Sequence, residues 1–243
     1  MKLLVGGCSV SSGWGFTPAN IEQCWPNLLA KKLNANLTNV SETGYDNAGI
    51  FLNLIEKIID TDFDLCLFQV TALNRIILSP TAHGHRLLRP AGTNISAGTN
   101  ISAGKLSDSE YAFMIKKFVL INQDMEHWNR LFKIITTIQT LIKQGKNIKF
   151  INGLLHWDNN FFTNPSRSKF LKTTIDFDNL PDTDIAKFTQ VLYNQAQTID
   201  LTAWINPFMA LTTLSVDTIS ATDFHPGLKS HSIFADTIYK GLQ

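Results

Sequence analysis

Short apolar runs alternating with amphipathic helical patterns constrain this chain most. Leu3-Leu4-Val5, Leu37-Thr38-Asn39-Val40, Leu65-Cys66-Leu67-Phe68-Gln69-Val70 and Ile148-Lys149-Phe150-Ile151 read as strands. Helical spacing fills the intervals. Ile21 to Leu33 places Trp25, Leu28 and Leu29 on one face, and Phe51, Leu54, Ile55 and Ile58 follow the i, i+3, i+4, i+7 rule. Leu131, Ile134, Ile135, Ile138 and Ile142 do the same, with Gly145 as a stop signal just beyond. A last helix runs from Pro226 to about Leu242, with proline suited to a helix start. Alternating strands and helices predict an α/β fold with a parallel sheet covered on both faces. Ligands of such sheets bind at the carboxyl ends of the strands.

The chain has 243 residues, 44% of them hydrophobic, which supplies one sizeable core. A net charge of +1 gives no electrostatic case for nucleic acid or an anionic membrane. No apolar run approaches the ~18 residues of a membrane span. Leu4-Val5-Gly6-Gly7-Cys8 has the outline of a lipoprotein cleavage box. The apolar stretch before Cys8 is nevertheless far shorter than a signal-peptide core and carries a lysine. Cys8, Cys24 and Cys66 are odd in number and lack paired spacing, as expected of reduced, buried thiols in a cytoplasmic protein. The expectation is one domain over 1–243, with insertions around 76–110 and 157–184. The first insertion contains a tandem Thr-Asn-Ile-Ser-Ala-Gly, Thr93–Gly98 and Thr99–Gly104, which predicts a surface loop. The second, from Trp157 to Asp184, has the irregularity of a lid or binding loop.

Each strand-like run ends in small or polar residues: Gly7-Cys8-Ser9, then Ser41-Glu42-Thr43-Gly44, then Thr71 to Asn74. A parallel sheet gathers these ends on one edge. A serine in a glycine-lined turn exposes its hydroxyl and lets a substrate approach the backbone. It needs a base to become a nucleophile. Near the other end of the chain, Asp223 and His225 flank a single residue, so one short loop presents both. The imidazole would take the serine proton, and the carboxylate would fix its tautomer and stabilise the imidazolium.

Gly7-Cys8-Ser9-Val10-Ser11 resembles the first block of the SGNH, or GDSL-type, hydrolases. Asn39-Val40-Ser41-Glu42-Thr43-Gly44-Tyr45-Asp46-Asn47 is similar to the second, and Asp223-Phe224-His225-Pro226-Gly227, running into the final helix, to the last. Trp25 with Leu28-Leu29-Ala30 also suits the family's first helix. The resemblance implies a three-layer α/β/α sandwich around a mainly parallel five-stranded sheet of flavodoxin-like type. It implies Ser9 as nucleophile, His225 as base and Asp223 as the orienting acid. The Ser9 and Gly44 N–H groups would form the oxyanion hole, without metal or organic cofactor.

The family's third block, Gly-x-Asn-Asp, is altered. Thr71 takes the glycine place, Leu73 the asparagine place, and Asn74 falls one residue late. Asn74 is expected as third oxyanion donor if the turn is one residue longer. The family's aspartate usually lies three residues before the histidine, where this chain has Thr222. The Asp-x-His spacing occurs among polysaccharide O-acetyltransferases of the same fold. The implied activity is hydrolysis of carboxylic esters, small-molecule or glycan. Two alternatives stand beside it: O-acyl transfer to a glycan by the same triad, and an inactive descendant that only binds glycans.

Other residues carry weaker signals. Trp14, His156 and Trp157 are candidate substrate contacts, whereas Phe161 and Phe162 are expected to pack inward. His83-Gly84-His85 lacks a third ligand and reads as loop polarity rather than a metal site. His231 is expected in solvent on the final helix. A Gly-x-Ser-x-Gly elbow, a P-loop and a dinucleotide fingerprint are all absent.

Overall fold

The computed structural model describes residues 1–72, 76–81, 84–88, 124–155, 157–164, 167–168 and 182–243. A parallel five-stranded sheet forms its centre, ordered β2-β1-β3-β6-β7. The strands are β1 (Lys2–Gly6), β2 (Asn36–Asn39), β3 (Leu65–Val70), β6 (Ile148–Asn152) and β7 (Trp204–Ile205). All six residues of β3 are buried, as its unbroken apolar run demands of a strand with both faces covered. β3 pairs with β1 through Leu3↔Leu65 to Gly6↔Phe68, and with β6 through Cys66↔Ile148 to Val70↔Asn152. Strand β7 is only two residues long, too brief for any hydrophobic period to reveal.

Helices cover the sheet in two groups. Before β2 lies α2 (Trp25–Leu33), with Pro26 in its first turn and Asn34 closing it in the left-handed region at φ 49°. It packs on the last helix, α7 (Leu228–Gly241). The second group starts with α3 (Asn47–Asp60), capped by the Asp46 carboxylate, which accepts from Gly49 N–H at 2.8 Å. Helix α3 lies against β1 and β3 and meets α4 (Asp124–Lys143), which in turn meets α6 (Asp182–Ala196). The three-layer α/β/α architecture implied by the sequence is therefore the one observed. No helix among the described residues is long and apolar enough to cross a membrane.

Three details correct the sequence expectations. First, the insertion after β3 begins as an antiparallel hairpin of β4 (Ile76–Thr81) and β5 (Gly84–Leu88). Pro80 adjoins its register shift, where a missing N–H is tolerated. The tandem repeat lies outside the described residues, as does His83. Second, the stretch from Trp157 starts as core rather than lid. Trp157 is buried, donates its indole N–H to the Pro207 carbonyl, and stands 4.7 Å from Trp204, which stacks on Phe150. The short α5 (Asn159–Thr163) then buries Phe161 and Phe162 against Trp157, the inward packing expected of them.

The third correction is His231, which is 1% exposed. The face of α7 that bears it is covered by α2. Its Nδ1 accepts the Trp25 backbone N–H at 3.0 Å, and Phe16 and Phe234 lie beside the ring. Burial pushes its pKa down to about 4, against the opposing pull of Asp217 and the Pro226 carbonyl. The three cysteines are buried thiols outside any disulfide, and burial pushes those of Cys24 and Cys66 up to about 12.

Candidate active site

Strand β1 lies between β2 and β3, so the chain leaves it in one direction and later returns on the other side. That reversal opens a crevice at the carboxyl ends of the strands. Gly7 and Cys8 follow β1, and Ser9 opens the four-residue α1 (Ser9–Ser12). The Cys8 carbonyl accepts from Ser11 and Ser12 N–H, both at 2.9 Å, which winds this turn tightly. Gly13, left-handed at φ 76°, ends it and returns its N–H to the Ser9 carbonyl. First-turn N–H groups of a helix have no intrahelical acceptor. The Ser9 N–H is such a group.

A buried polar post supports the turn from below. Gln69, on β3, has no exposed surface. Its Oε1 accepts from Cys8 N–H at 3.3 Å and from the Ser11 hydroxyl, and its Nε2 lies 3.4 Å from Cys8 Sγ. The side chain lies across the ends of three strands because Gly7 and Gly153 leave room for it. A methyl group at either glycine would collide with the Gln69 amide. Sequence reasoning missed this residue. The available signal was a glutamine inside an otherwise apolar, buried run, since buried polar groups need partners.

After β2, Glu42 N–H donates to the Gly7 carbonyl at 3.1 Å, and the Ser12 and Thr43 hydroxyls lie 3.0 Å apart. These contacts hold Gly44 next to the turn that bears Ser9. Gly44 is left-handed at φ 86°, and nothing lies within 4 Å of where a Cβ would sit. A turn residue that must take this conformation beside open space is best served by glycine. After β3, Asn47 clamps Thr71: its Oδ1 accepts Thr71 N–H at 2.8 Å and its Nδ2 donates to Thr71 O at 3.2 Å. Asn74 lies outside the described residues, and so does His156.

The third part of the site comes from the loop before α7. Asp217 accepts Lys229 and Ser230 N–H at 3.0 and 2.8 Å, satisfying two orphan donors at the start of that helix. Thr218 bridges Pro226, and Ile219 N–H donates to His225 O at 2.9 Å. The loop is thus a narrow antiparallel ladder with Asp223 and His225 near its tip. Asp223 Oδ1 accepts both the His225 backbone N–H, at 3.0 Å, and the ring Nδ1–H, at 2.6 Å. A two-residue spacing therefore suffices to orient the imidazole. His225 Nε2 lies 3.1 Å from Ser9 Oγ across 216 residues of sequence. Burial pushes the Asp223 carboxyl up. The His225 backbone N–H and ring, with the Trp14 indole, outweigh that and hold it below its ordinary value.

Trp14 is half-buried and donates its indole N–H to Asp223 Oδ2 at 3.1 Å. Trp157, expected as a substrate contact, is withdrawn by the aromatic packing described above. The structure thus brings Ser9, Asp223, His225, Gly44 and Trp14 to one edge, and Trp157 to the core. The chain of Asp223, His225 and Ser9 can relay a proton from a hydroxyl to an imidazole held by a carboxylate.

No family model matches the chain, and no curated protein matches it. Solved structures similar to it over nearly their whole lengths include three with modest scores. The psychrotrophic esterase EstA from Pseudoalteromonas sp. has 15% identity and a TM-score of 0.49, with 99% of this chain and 96% of that one covered. The acetyl xylan esterase AlAXEase has 15% identity and a TM-score of 0.46, with 100% of both chains covered. A member of the lipolytic protein G-D-S-L family from Veillonella parvula has 14% identity and a TM-score of 0.46, with 99% and 97% covered.

Proposed function

We propose that the protein is a serine hydrolase of carboxylic esters, acting through a Ser9–His225–Asp223 triad and an acyl-enzyme. The observation that carries this reading is the continuous hydrogen-bonded line from Asp223 Oδ1 through the imidazole to Ser9 Oγ. Ser9 Oγ attacks the ester carbonyl carbon while its proton passes to His225 Nε2. The oxyanion that forms accepts from the Ser9 and Gly44 N–H groups, preorganised donors that need no rearrangement as charge develops. Collapse expels the alcohol, which takes the proton from Nε2 and leaves an acyl-serine. Water then attacks the acyl carbon, giving its proton to Nε2. The second tetrahedral species releases the carboxylic acid and returns the proton to Ser9. Asp223 holds Nδ1–H throughout and stabilises the transient imidazolium without itself taking the proton. Asn74 is assigned the third oxyanion contact. Its position after β3 suits a donor whose absence typically costs about 10²–10³ in turnover.

Fluorophosphonate labelling and hydrolysis of p-nitrophenyl acetate test this, wild type against Ser9→Ala. Labelling should vanish in the variant, and kcat should fall at least about 10⁴-fold, as loss of a triad nucleophile does. Equal labelling of the two proteins would overturn the assignment. A panel of acetylated sugars and short acyl esters, run with and without a sugar acceptor, identifies the substrate class. Product that appears only with acceptor would replace hydrolysis by acyl transfer.

A further inference from the structure

Trp14 is bonded to both ends of the proton relay. Its backbone N–H donates to the Ser9 carbonyl at 3.2 Å, and its indole N–H donates to Asp223 Oδ2 at 3.1 Å. Asp223 Oδ1 holds His225 Nδ1 at 2.6 Å, and His225 Nε2 meets Ser9 Oγ at 3.1 Å. These four contacts close a ring that leaves Ser9 by its hydroxyl and returns to it by its carbonyl. We propose that Trp14 is a positioning residue of the ester hydrolase: it immobilises the second oxygen of Asp223 and locks the acid-bearing loop onto the nucleophile turn. The proposal rests on the triad reading above. It replaces the expectation that Trp14 stacks on substrate.

Two further observations support it. Both N–H groups of His225 fall on the same oxygen, Oδ1. His225 thus leaves Oδ2 to another donor, and an orienting acid is held best by both oxygens. The Trp14 indole supplies the second anchor. The turn that carries it is also built to reach the acid loop. Gly13 and Gly15, which flank Trp14, are both left-handed, at φ 76° and 80°. A Cβ on Gly13 would collide with Ile21, and one on Gly15 would sit 3.0 Å from Ile219. Ile219 belongs to the acid loop and donates its N–H to the His225 carbonyl. The turn and the loop therefore touch through backbone-sized residues on one side and through the indole on the other. The Trp14 ring lies beside the imidazole, with centroids 6.2 Å apart.

The indole N–H is also one of the contacts that hold the Asp223 carboxyl below its ordinary value. Removing that donor leaves more negative charge on the Asp223 carboxylate that faces Nδ1. Among the described residues, Asp223 on the same loop and His231 on α7 are ionisable groups that interact with His225. Of these two, it is Asp223 that bonds to Trp14.

The test is Trp14→Phe, which keeps an aromatic ring and deletes the donor. Fluorophosphonate labelling rates and p-nitrophenyl acetate kinetics are measured from pH 5 to 9, alongside thermal melting. The expected result is a fall of about tenfold in kcat and in labelling rate, in line with loss of one hydrogen bond to a charged group. KM should stay within about twofold, and the acidic limb of the rate profile should move to higher pH. A rise in KM at unchanged kcat would make Trp14 a substrate contact and overturn the proposal. So would a lowered melting temperature with unchanged rates and an unmoved limb. A wild type that Ser9→Ala fails to distinguish in labelling removes the triad reading itself. A labelled wild type with an indifferent Trp14→Phe removes only the role given to Trp14.

Discussion

Gln69 occupies a position where a covered sheet holds apolar side chains, and its three contacts all go to the turn bearing Ser9. Replacing it with leucine, close in size, would strand the Cys8 N–H and the Ser11 hydroxyl in a site that water does not reach. Each buried orphan costs about 1–3 kcal/mol, so Gln69→Leu should lower the unfolding free energy by about 2–4 kcal/mol in urea titration. Turnover of the folded fraction should fall too, because the Cys8 peptide sets the direction of Ser9. An unchanged denaturation midpoint would show that the post bears no weight. That Ser9, Gly44, Asp223 and His225 gather at one edge of the sheet is legible without coordinates. Nucleophile, base and acid chemistry restricts the residue types, and a parallel sheet restricts where they stand. Gln69 is not, because an apolar run reports burial and nothing about which neighbours a lone polar group will find. The role of Trp14 is equally hidden, since its partner lies 209 residues away.

Among the elements, the pairing of α2 with α7 carries the clearest consequence for pH. His231 joins them as a neutral ring, its pKa pushed from the ordinary 6.5 down to about 4. Above pH 6.5 the ring is neutral in folded and unfolded chains alike, and this contact contributes in full. As the pH falls, the unfolded chain takes up the proton first, so stability is lost between about 6.5 and 4. The protein should be about 2 kcal/mol less stable at pH 5 than at pH 7.5 from this group alone. His231→Gln, which retains an acceptor for Trp25 N–H, should flatten that dependence in chemical denaturation. An equally steep profile in the variant would assign the loss to other groups. The long strands and helices were readable because their periods repeat. β7 was not, having two residues, and the burial of His231 was not, because its own helix does not show which neighbour covers that face.

At the scale of the whole molecule, the first strand and the last helix must both be in place before the hydroxyl and the imidazole, 216 residues apart in sequence, can meet. Long-range closure of this kind is slow relative to local helix formation. During refolding from denaturant, fluorophosphonate labelling should therefore return with the slowest phase, after far-ultraviolet ellipticity has recovered. Labelling that outpaces the ellipticity would mean that the two ends dock before the sheet is complete. The three interior cysteines have a practical corollary. With Cys24 and Cys66 out of solvent and resistant to ionisation, and Cys8 fully enclosed, maleimide dyes find no ready native target in the folded protein. A single cysteine introduced on the outer face of α3, at Ile59 for instance, would accept one fluorophore in the otherwise unaltered wild-type background.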